Sequence, residues 1–208
     1  MSEPILLFGG SFDPFHNGHH FMLQEAISHL HLEKILLIPN YLNPHKSMSQ
    51  LSAQERLILL QQLLPTLPQN TKKSIQYTII KYEINHKKPC YTVHTLATIR
   101  KQYGERPYLF LMGSDNFFSL HLWKDAQKLI NKLIFFVVKR DPRVFQDYQH
   151  YCNTMLSGSS ELKLILLENP LNPVSSTDIW EQHKTGSVSS TMLSKQAEHF
   201  IRTKKGTL

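Results

Sequence analysis

Gly9-Gly10-Ser11-Phe12-Asp13-Pro14-Phe15-His16-Asn17-Gly18-His19 is the stretch on which the reading of this chain turns. Behind it lies a short apolar run, Ile5-Leu6-Leu7-Phe8, and ahead of it a segment with helical periodicity. An apolar strand, a glycine turn and a helix entry form the arrangement in which α/β proteins hold an anion. Adjacent glycines let the main chain approach a phosphate, because no Cβ intervenes. The turn has neither the Gly-Lys-Ser/Thr ending of a Walker A loop nor the G-x-G-x-x-G spacing. It offers two imidazoles instead, His16 and His19, three positions apart where a helix begins and therefore on one face. Three uses compete. A metal pair lacks a carboxylate or third histidine at ligand spacing nearby. Two surface histidines of a capped helix start would leave the glycine turn and Asp13-Pro14 without a reason. Two hydrogen-bond donors to a phosphate account for the whole stretch.

Working outward, residues 21–32 carry helical periodicity through Phe21, Met22, Glu25, Ala26, His29 and Leu30. Lys34-Ile35-Leu36-Leu37-Ile38-Pro39 is an apolar run of the buried parallel-strand type. Strand, helix and strand within forty residues make a βαβ unit, and so a parallel sheet with a right-handed crossover. Ser52-Ala53-Gln54-Glu55 is a capping box opening a helix to about residue 64, where Pro65 and Pro68 end it. Residues 74–84 alternate and read as a strand, followed by a basic, turn-like break at 85–88. Tyr91 opens a helix closing near Gly104. Buried strands follow at 108–112 and 133–138, the second ending in Lys139-Arg140. Residues 145–160 show no clear period and read as a loop with one helical turn. Residues 162–167 read as a strand, 173–179 as a hydroxyl-rich helix start, and 189–202 as a helix. The order predicts a Rossmann-like doubly wound α/β sheet, mainly parallel, with helices on both faces. Neither a repeat nor a linker divides residues 1–208, which read as one domain. Ligands of such a sheet belong at the C-terminal strand ends, where the motif loops lie.

Composition narrows the partners. At 208 residues, 41% hydrophobic and 19% charged, the chain suits one globular core. A formal charge of +7 favours anionic partners, and small phosphorylated substrates explain it as well as a mildly basic surface does. No Lys/Arg tract with interleaved aromatics suggests nucleic acid. Cys90 and Cys152 are too few for a disulfide framework and fit a reducing compartment. No signal peptide or run of membrane-spanning length is visible, so the expectation is a cytoplasmic chain.

The eleven residues from Gly9 to His19 resemble the signature of the nucleotidyltransferase superfamily, whose His-x-Gly-His pair flanks the α-phosphate of a nucleoside triphosphate. Later stretches, in order, are similar to the nicotinate-nucleotide adenylyltransferases. These are Pro44-His45-Lys46, Tyr91-Thr92-Val93-His94-Thr95-Leu96, Gly113-Ser114-Asp115 followed by Trp123, and Val174-Ser175-Ser176-Thr177-Asp178-Ile179. The resemblance implies that the phosphate of nicotinate mononucleotide attacks the α-phosphorus of ATP, giving deamido-NAD and pyrophosphate with no covalent enzyme intermediate. It implies that His16 and His19 donate to the phosphate oxygens, with Mg²⁺ bridging phosphates. It assigns Gly9, Gly10, Ser11, Phe12, Lys46, Asp115, Ser175, Ser176 and Thr177 to ATP. Thr92 and Trp123 go to the pyridine mononucleotide.

Blander readings stand beside these. Ser175-Ser176-Thr177 would serve as an N-cap cluster, Trp123 as core, Asp115 as a turn residue, and Lys46 as a solvated charge. Two positions depart from the pattern: Trp180 stands where the family carries arginine, and His94 where many members carry an acid. Lys184, one turn beyond Trp180, is the nearest replacement cation, with Lys139 and Arg140 as the alternative. The rival functions are a nicotinamide mononucleotide or pantetheine-phosphate adenylyltransferase, and a nucleotide-binding regulator with reduced catalysis. A basic RNA-binding module is weaker still.

Overall fold

Ile5–Phe8, Ile35–Ile38 and Tyr108–Met112 are apolar without alternation, as strands covered on both faces must be. The structure buries every one of these residues. A computed structural model describes residues 3–42, 49–71, 73–140, 143, 145–156, 162–167, 174–186 and 189–203. Pro44, His45 and Lys46 lie outside the described residues.

In chain order the elements are β1 (Ile5–Gly10), α1 (Asn17–His29), β2 (Lys34–Pro39), α2 (Ala53–Leu63), β3 (Gln76–Ile79), α3 (Tyr82–His86) and α4 (Thr92–Tyr103). There follow β4 (Tyr108–Gly113), α5 (Ser114–Phe117), α6 (Ala126–Ile130), β5 (Ile134–Val138), α7 (Phe145–Met155), β6 (Lys163–Leu167), α8 (Ser176–Thr185) and α9 (Lys195–Thr203). The strands form one sheet in the order β3-β2-β1-β4-β5-β6, every pair parallel. This is a doubly wound sheet, as predicted, and its order puts the switch point between β1 and β4. Alternate residues of β1 serve the two faces. Leu6 and Phe8 pack with α1, α2, α8 and α9, whereas Ile5 and Leu7 pack with α4, α6 and α7.

Several boundaries differ from expectation. Helix α1 begins at Asn17, four residues early, because His16 takes the N-cap position. The strand expected over 74–84 stops at Ile79, and Tyr82–His86 is a helix that buries Glu83 and Ile84. Alternation could not separate the two, since one turn of helix also places Ile80 and Ile84 on one side. Residues 145–155 are not a loop. They form α7, which seats Tyr148 and Tyr151 against Phe117 and Phe118. Aromatic residues flanked by polar ones make a weak periodic signal, and packing on α5 decides the matter. The C-terminal helix starts at Lys195, later than residue 189. The preceding turn docks on α1, where Asn17 N donates to Met192 O at 2.9 Å and Asn17 Nδ2 to Thr191 O at 2.8 Å.

Glu83 is only 6% exposed and accepts the Thr95 hydroxyl at 2.8 Å, which ties α3 to α4. Burial pushes its carboxyl above the ordinary value, and the Thr95 hydrogen bond pulls partly back. A carboxyl raised on folding contributes stability below its unfolded pKa and loses it as the pH climbs through the folded one. Glu83→Gln keeps an acceptor for Thr95 without the charge. It should melt on the order of a few degrees above the wild type at pH 8, with the gap closing toward pH 4. Thermal unfolding across that range is the measurement, and a gap independent of pH would refute the assignment.

Candidate active site

Strand β1 delivers the glycine turn to the C-terminal edge of the sheet at the switch point. Gly9 leaves room for the ring of Phe110, whose Cζ would stand 3.3 Å from an added Cβ. Gly10 leaves room for Phe12, whose Cε1 would stand at 3.0 Å. Phe12 adopts φ 49°, an unfavourable region for a bulky side chain, and is fully buried. Such a conformation persists only where its surroundings over-determine it, and four remote residues do so here. Arg56 donates to Ser11 O at 2.5 Å. The Asp13 carboxylate accepts Gln50 N at 2.8 Å and Leu51 N at 2.9 Å. Trp180 Nε1 donates to Asp13 O at 2.8 Å. The Asp13-Pro14 bond within this turn is cis.

The two histidines follow. His16 is buried at the N-cap of α1 and His19 stands three residues on, their rings stacked with centroids 3.7 Å apart. His19 Nδ1 accepts the backbone N–H of His16 at 3.2 Å. With Nδ1 accepting, the neutral ring carries its proton on Nε2, which becomes a donor. Phe8, Phe12 and Phe15 surround that ring at centroid distances of 5.8, 5.1 and 5.1 Å and hold its orientation. Gly18 is required between the histidines. A Cβ there would press on the His16 ring at 3.0 Å and on Val174 O at 3.2 Å.

Val174 brings in α8. Ser175 caps this helix: its Oγ accepts Asp178 N at 3.2 Å and donates to Asp178 Oδ2 at 2.6 Å, so its hydroxyl is engaged in the cap. Ser176 and Thr177 open the helix and line a cavity of about 170 Å³ with Asp13, Gln50 and Trp180; Glu181 and Lys184 also line it. The first-turn N–H groups and the aligned peptide dipoles of α8 favour an anion.

Across the switch point, β4 ends at Gly113 and Ser114-Asp115 begin α5. Asp115 is exposed, and Arg140 Nη1 faces its Oδ2 at 3.7 Å. Trp123 ends a 3-10 turn in extended conformation. The indole is half-buried, stands edge-on to Phe110 at 5.8 Å, and donates to Ser119 Oγ at 3.4 Å. Phe110 therefore links the indole to the glycine turn. Thr92 begins α4 with Tyr91 at its N-cap. Lys124 lies over the Tyr91 ring at 4.7 Å, joining that helix start to the Trp123 segment. His94 is exposed, packing edge-on to Tyr91.

Residues 7–193 match the family model described as cytidylyltransferase-like. The chain belongs to the cytidylyltransferase-like family. Within this family it is similar to a probable nicotinate-nucleotide adenylyltransferase of Aquifex aeolicus, at 34% identity over 65% of this chain and 77% of the relative. A relative of the same name from Leptospira borgpetersenii is 28% identical over 97% of each chain. Among solved structures, nicotinic acid mononucleotide adenylyltransferase of Plasmodium falciparum complexed with NaAD superposes with a TM-score of 0.76. It covers 98% of this chain and 97% of its own at 16% identity, a likeness of fold.

Arg56 is the site residue that sequence reasoning missed in this cytidylyltransferase-like chain. It is 1% exposed and donates also to Asn40 O and Tyr41 O, both at 2.8 Å. The signal was present: Arg56, Leu59, Leu60 and Leu63 form one helical stripe of α2, and a charge on an apolar stripe must find partners. Sequence reasoning singles out Trp180 only as a departure from arginine, without the contact it makes. It does not stand idle in place of arginine, since its N–H fixes the Asp13 carbonyl.

Proposed function

We infer that this protein is a nicotinate-nucleotide adenylyltransferase, transferring AMP from ATP to nicotinate mononucleotide with release of pyrophosphate. The observation that carries the reading is the stacked His16–His19 pair at the switch point, beside the first turn of α8. The reaction needs alignment and charge stabilisation rather than a nucleophilic side chain. In our reading Gly9, Gly10, Ser11 and Phe12 receive the triphosphate on bare main chain. His16 and His19 donate N–H groups to the oxygens of the phosphate under attack. Ser176 and Thr177 hold the distal phosphates at the α8 dipole, with Ser175 keeping that helix start in place. Asp115 serves the adenosine side, and Lys46 adds positive charge. Residues 1–208 then act as one nucleotidyltransferase domain.

We assign Mg²⁺ to the ATP phosphates. Imidazole, hydroxyl and backbone N–H groups suit phosphate oxygens rather than a hard cation. Among the described residues, no three His, Cys, Asp or Glu side chains converge as ligands, and the Asp13 carboxylate is engaged by Gln50 and Leu51. Phosphate oxygens and water would hold the ion, which neutralises charge on the transferred group.

Thr92 and Trp123 take the pyridine end, the indole stacking on the ring. Trp123→Ala should therefore raise KM for the mononucleotide about fivefold or more and leave KM for ATP within twofold, since such stacking is worth about 1 kcal/mol beyond buried area. Equal damage to both constants with a lowered melting point would make the indole core. Small-molecule substrates and two free cysteines, Cys90 and Cys152, fit a cytoplasmic enzyme. Among the described residues no helix is long and apolar enough to cross a membrane.

The deciding experiment measures pyrophosphate release from ATP with nicotinate mononucleotide, nicotinamide mononucleotide or phosphopantetheine. Turnover highest with nicotinate mononucleotide is expected. A preference for phosphopantetheine, or no turnover with any acceptor, would overturn the reading.

A further inference from the structure

We propose that Arg140 binds the polyphosphate of ATP at the start of α8, supplying the forked cation that position 180 lacks. The inference rests on the reading of this site as an ATP-dependent transferase. Arg140 follows β5, and its backbone N–H donates to the buried Ser114 Oγ at 3.0 Å. Its stem crosses Gly113, where an added Cβ would stand 2.6 Å from the Arg140 Cδ. Glycine at 113 is thus what lets the side chain turn back over the end of β4. The guanidinium then reaches α8, with Nη2 donating to Val174 O at 3.0 Å while Nη1 faces Asp115 Oδ2 at 3.7 Å. Val174 O is the same atom that abuts Gly18 between the two histidines. One guanidinium therefore sits where the end of β4, the start of α8 and the histidine turn meet.

A guanidinium carries five N–H donors. Among the described residues, one contact of this side chain lies at ordinary hydrogen-bond distance, and the other is a long ion pair with a carboxylate that is 59% exposed. The side chain itself is 23% exposed, held in place yet open to a ligand. Its remaining donors match the paired oxygens of a phosphate. On α8 itself, Lys184 lines the same cavity as Ser176 and Thr177 but is rooted two turns beyond the helix start. The only polar group of Trp180 donates to Asp13 O. Lys184, the nearest cation in sequence, stands about 12 Å along the helix axis from Ser176, at a rise of about 1.5 Å per residue.

The test compares Arg140→Met and Arg140→Lys with the wild type. Titration calorimetry measures ATP and inorganic pyrophosphate, and steady-state kinetics gives both KM values. Arg140→Met should weaken ATP and pyrophosphate binding on the order of 10- to 100-fold. KM for nicotinate mononucleotide should stay within about twofold, and Arg140→Lys should recover part of the loss. Unchanged ATP binding overturns the proposal. So does a rise in the mononucleotide KM instead, or a fall in both affinities with a lowered melting point, which would make Arg140 only a tie between segments. Lys184→Ala reproducing the effect while Arg140→Met does not would move the cation to α8. If Arg140→Met loses ATP and pyrophosphate binding but the wild type releases no pyrophosphate, the phosphate site stands and the transfer reading alone falls.

Discussion

His19→Asn should lose on the order of 10²–10³ in kcat while ATP binding weakens far less, the scale seen when one donor to developing charge is removed. Asparagine places an acceptor near the Nδ1 position, so the His16 N–H that His19 now receives at 3.2 Å keeps a partner. Nothing in asparagine reaches the Nε2 position. The substitution thus separates the cap from the donor, and the melting point should move little. His19→Gln, whose amide reaches close to Nε2, should retain more activity than His19→Asn. His16→Ala should show a similar loss of kcat with an added loss of stability, because that ring is buried and stacked on His19. Stopped-flow or steady-state pyrophosphate release, paired with thermal unfolding, reads both effects. Near-normal turnover in His19→Asn would remove the pair from the chemistry.

Arg56→Met should destabilise the fold by about 3–5 kcal/mol, the range for breaking a buried charged network by removing one partner. The three carbonyls it serves, Ser11, Asn40 and Tyr41, would be left without that donor beneath α2. Methionine fills most of the volume, so the loss reports the hydrogen bonds rather than a cavity. For a chain of this length a melting midpoint lower by roughly 10 °C follows. Burial lowers the proton affinity of this guanidinium, and the neighbouring Asp13 carboxylate raises it again. Asp13→Asn should therefore weaken the same turn by a smaller amount. The functional consequence lies in Phe12. Its positive φ is held by these contacts, and a relaxed turn would withdraw main chain from the position we propose for the phosphate. A variant as stable as the wild type would show that the Gly10–Asp13 turn holds itself.

Some of this was legible in the residues because the forces are local. The capping box Ser52–Glu55 is a set of bonds between residues three apart, and it forms; Ser175, from the stretch read as an N-cap cluster, does cap α8. The buried strands are runs too apolar to alternate, and β2 occupies the residues expected. Helix α7 was missed because its burying residues, Tyr148 and Tyr151, are amphipathic and lie among polar neighbours. The role of Trp180 was missed because its partner stands 167 residues away. Lys184 was the nearer candidate because sequence shows helical neighbours; that Arg140, the alternative with Lys139, meets the start of α8 at Val174 follows only from the crossing out of β5.

By itself, then, the sequence determined which segments are strands and helices in most of the chain, and that a glycine turn at Gly9-Gly10 leads into a helix start carrying His16 and His19. Spacing, capping and hydrophobic period act over a few residues and need no knowledge of the rest. Only the tertiary structure decided that β1 lies between β2 and β4, and that Arg56, Asp13 and Trp180 clamp a strained Phe12. It also decided that Arg140 meets Val174. Those outcomes depend on which distant apolar faces bury one another and which buried carbonyls then require donors. Such pairings are made across the fold, between residues whose order in the chain does not encode their distance.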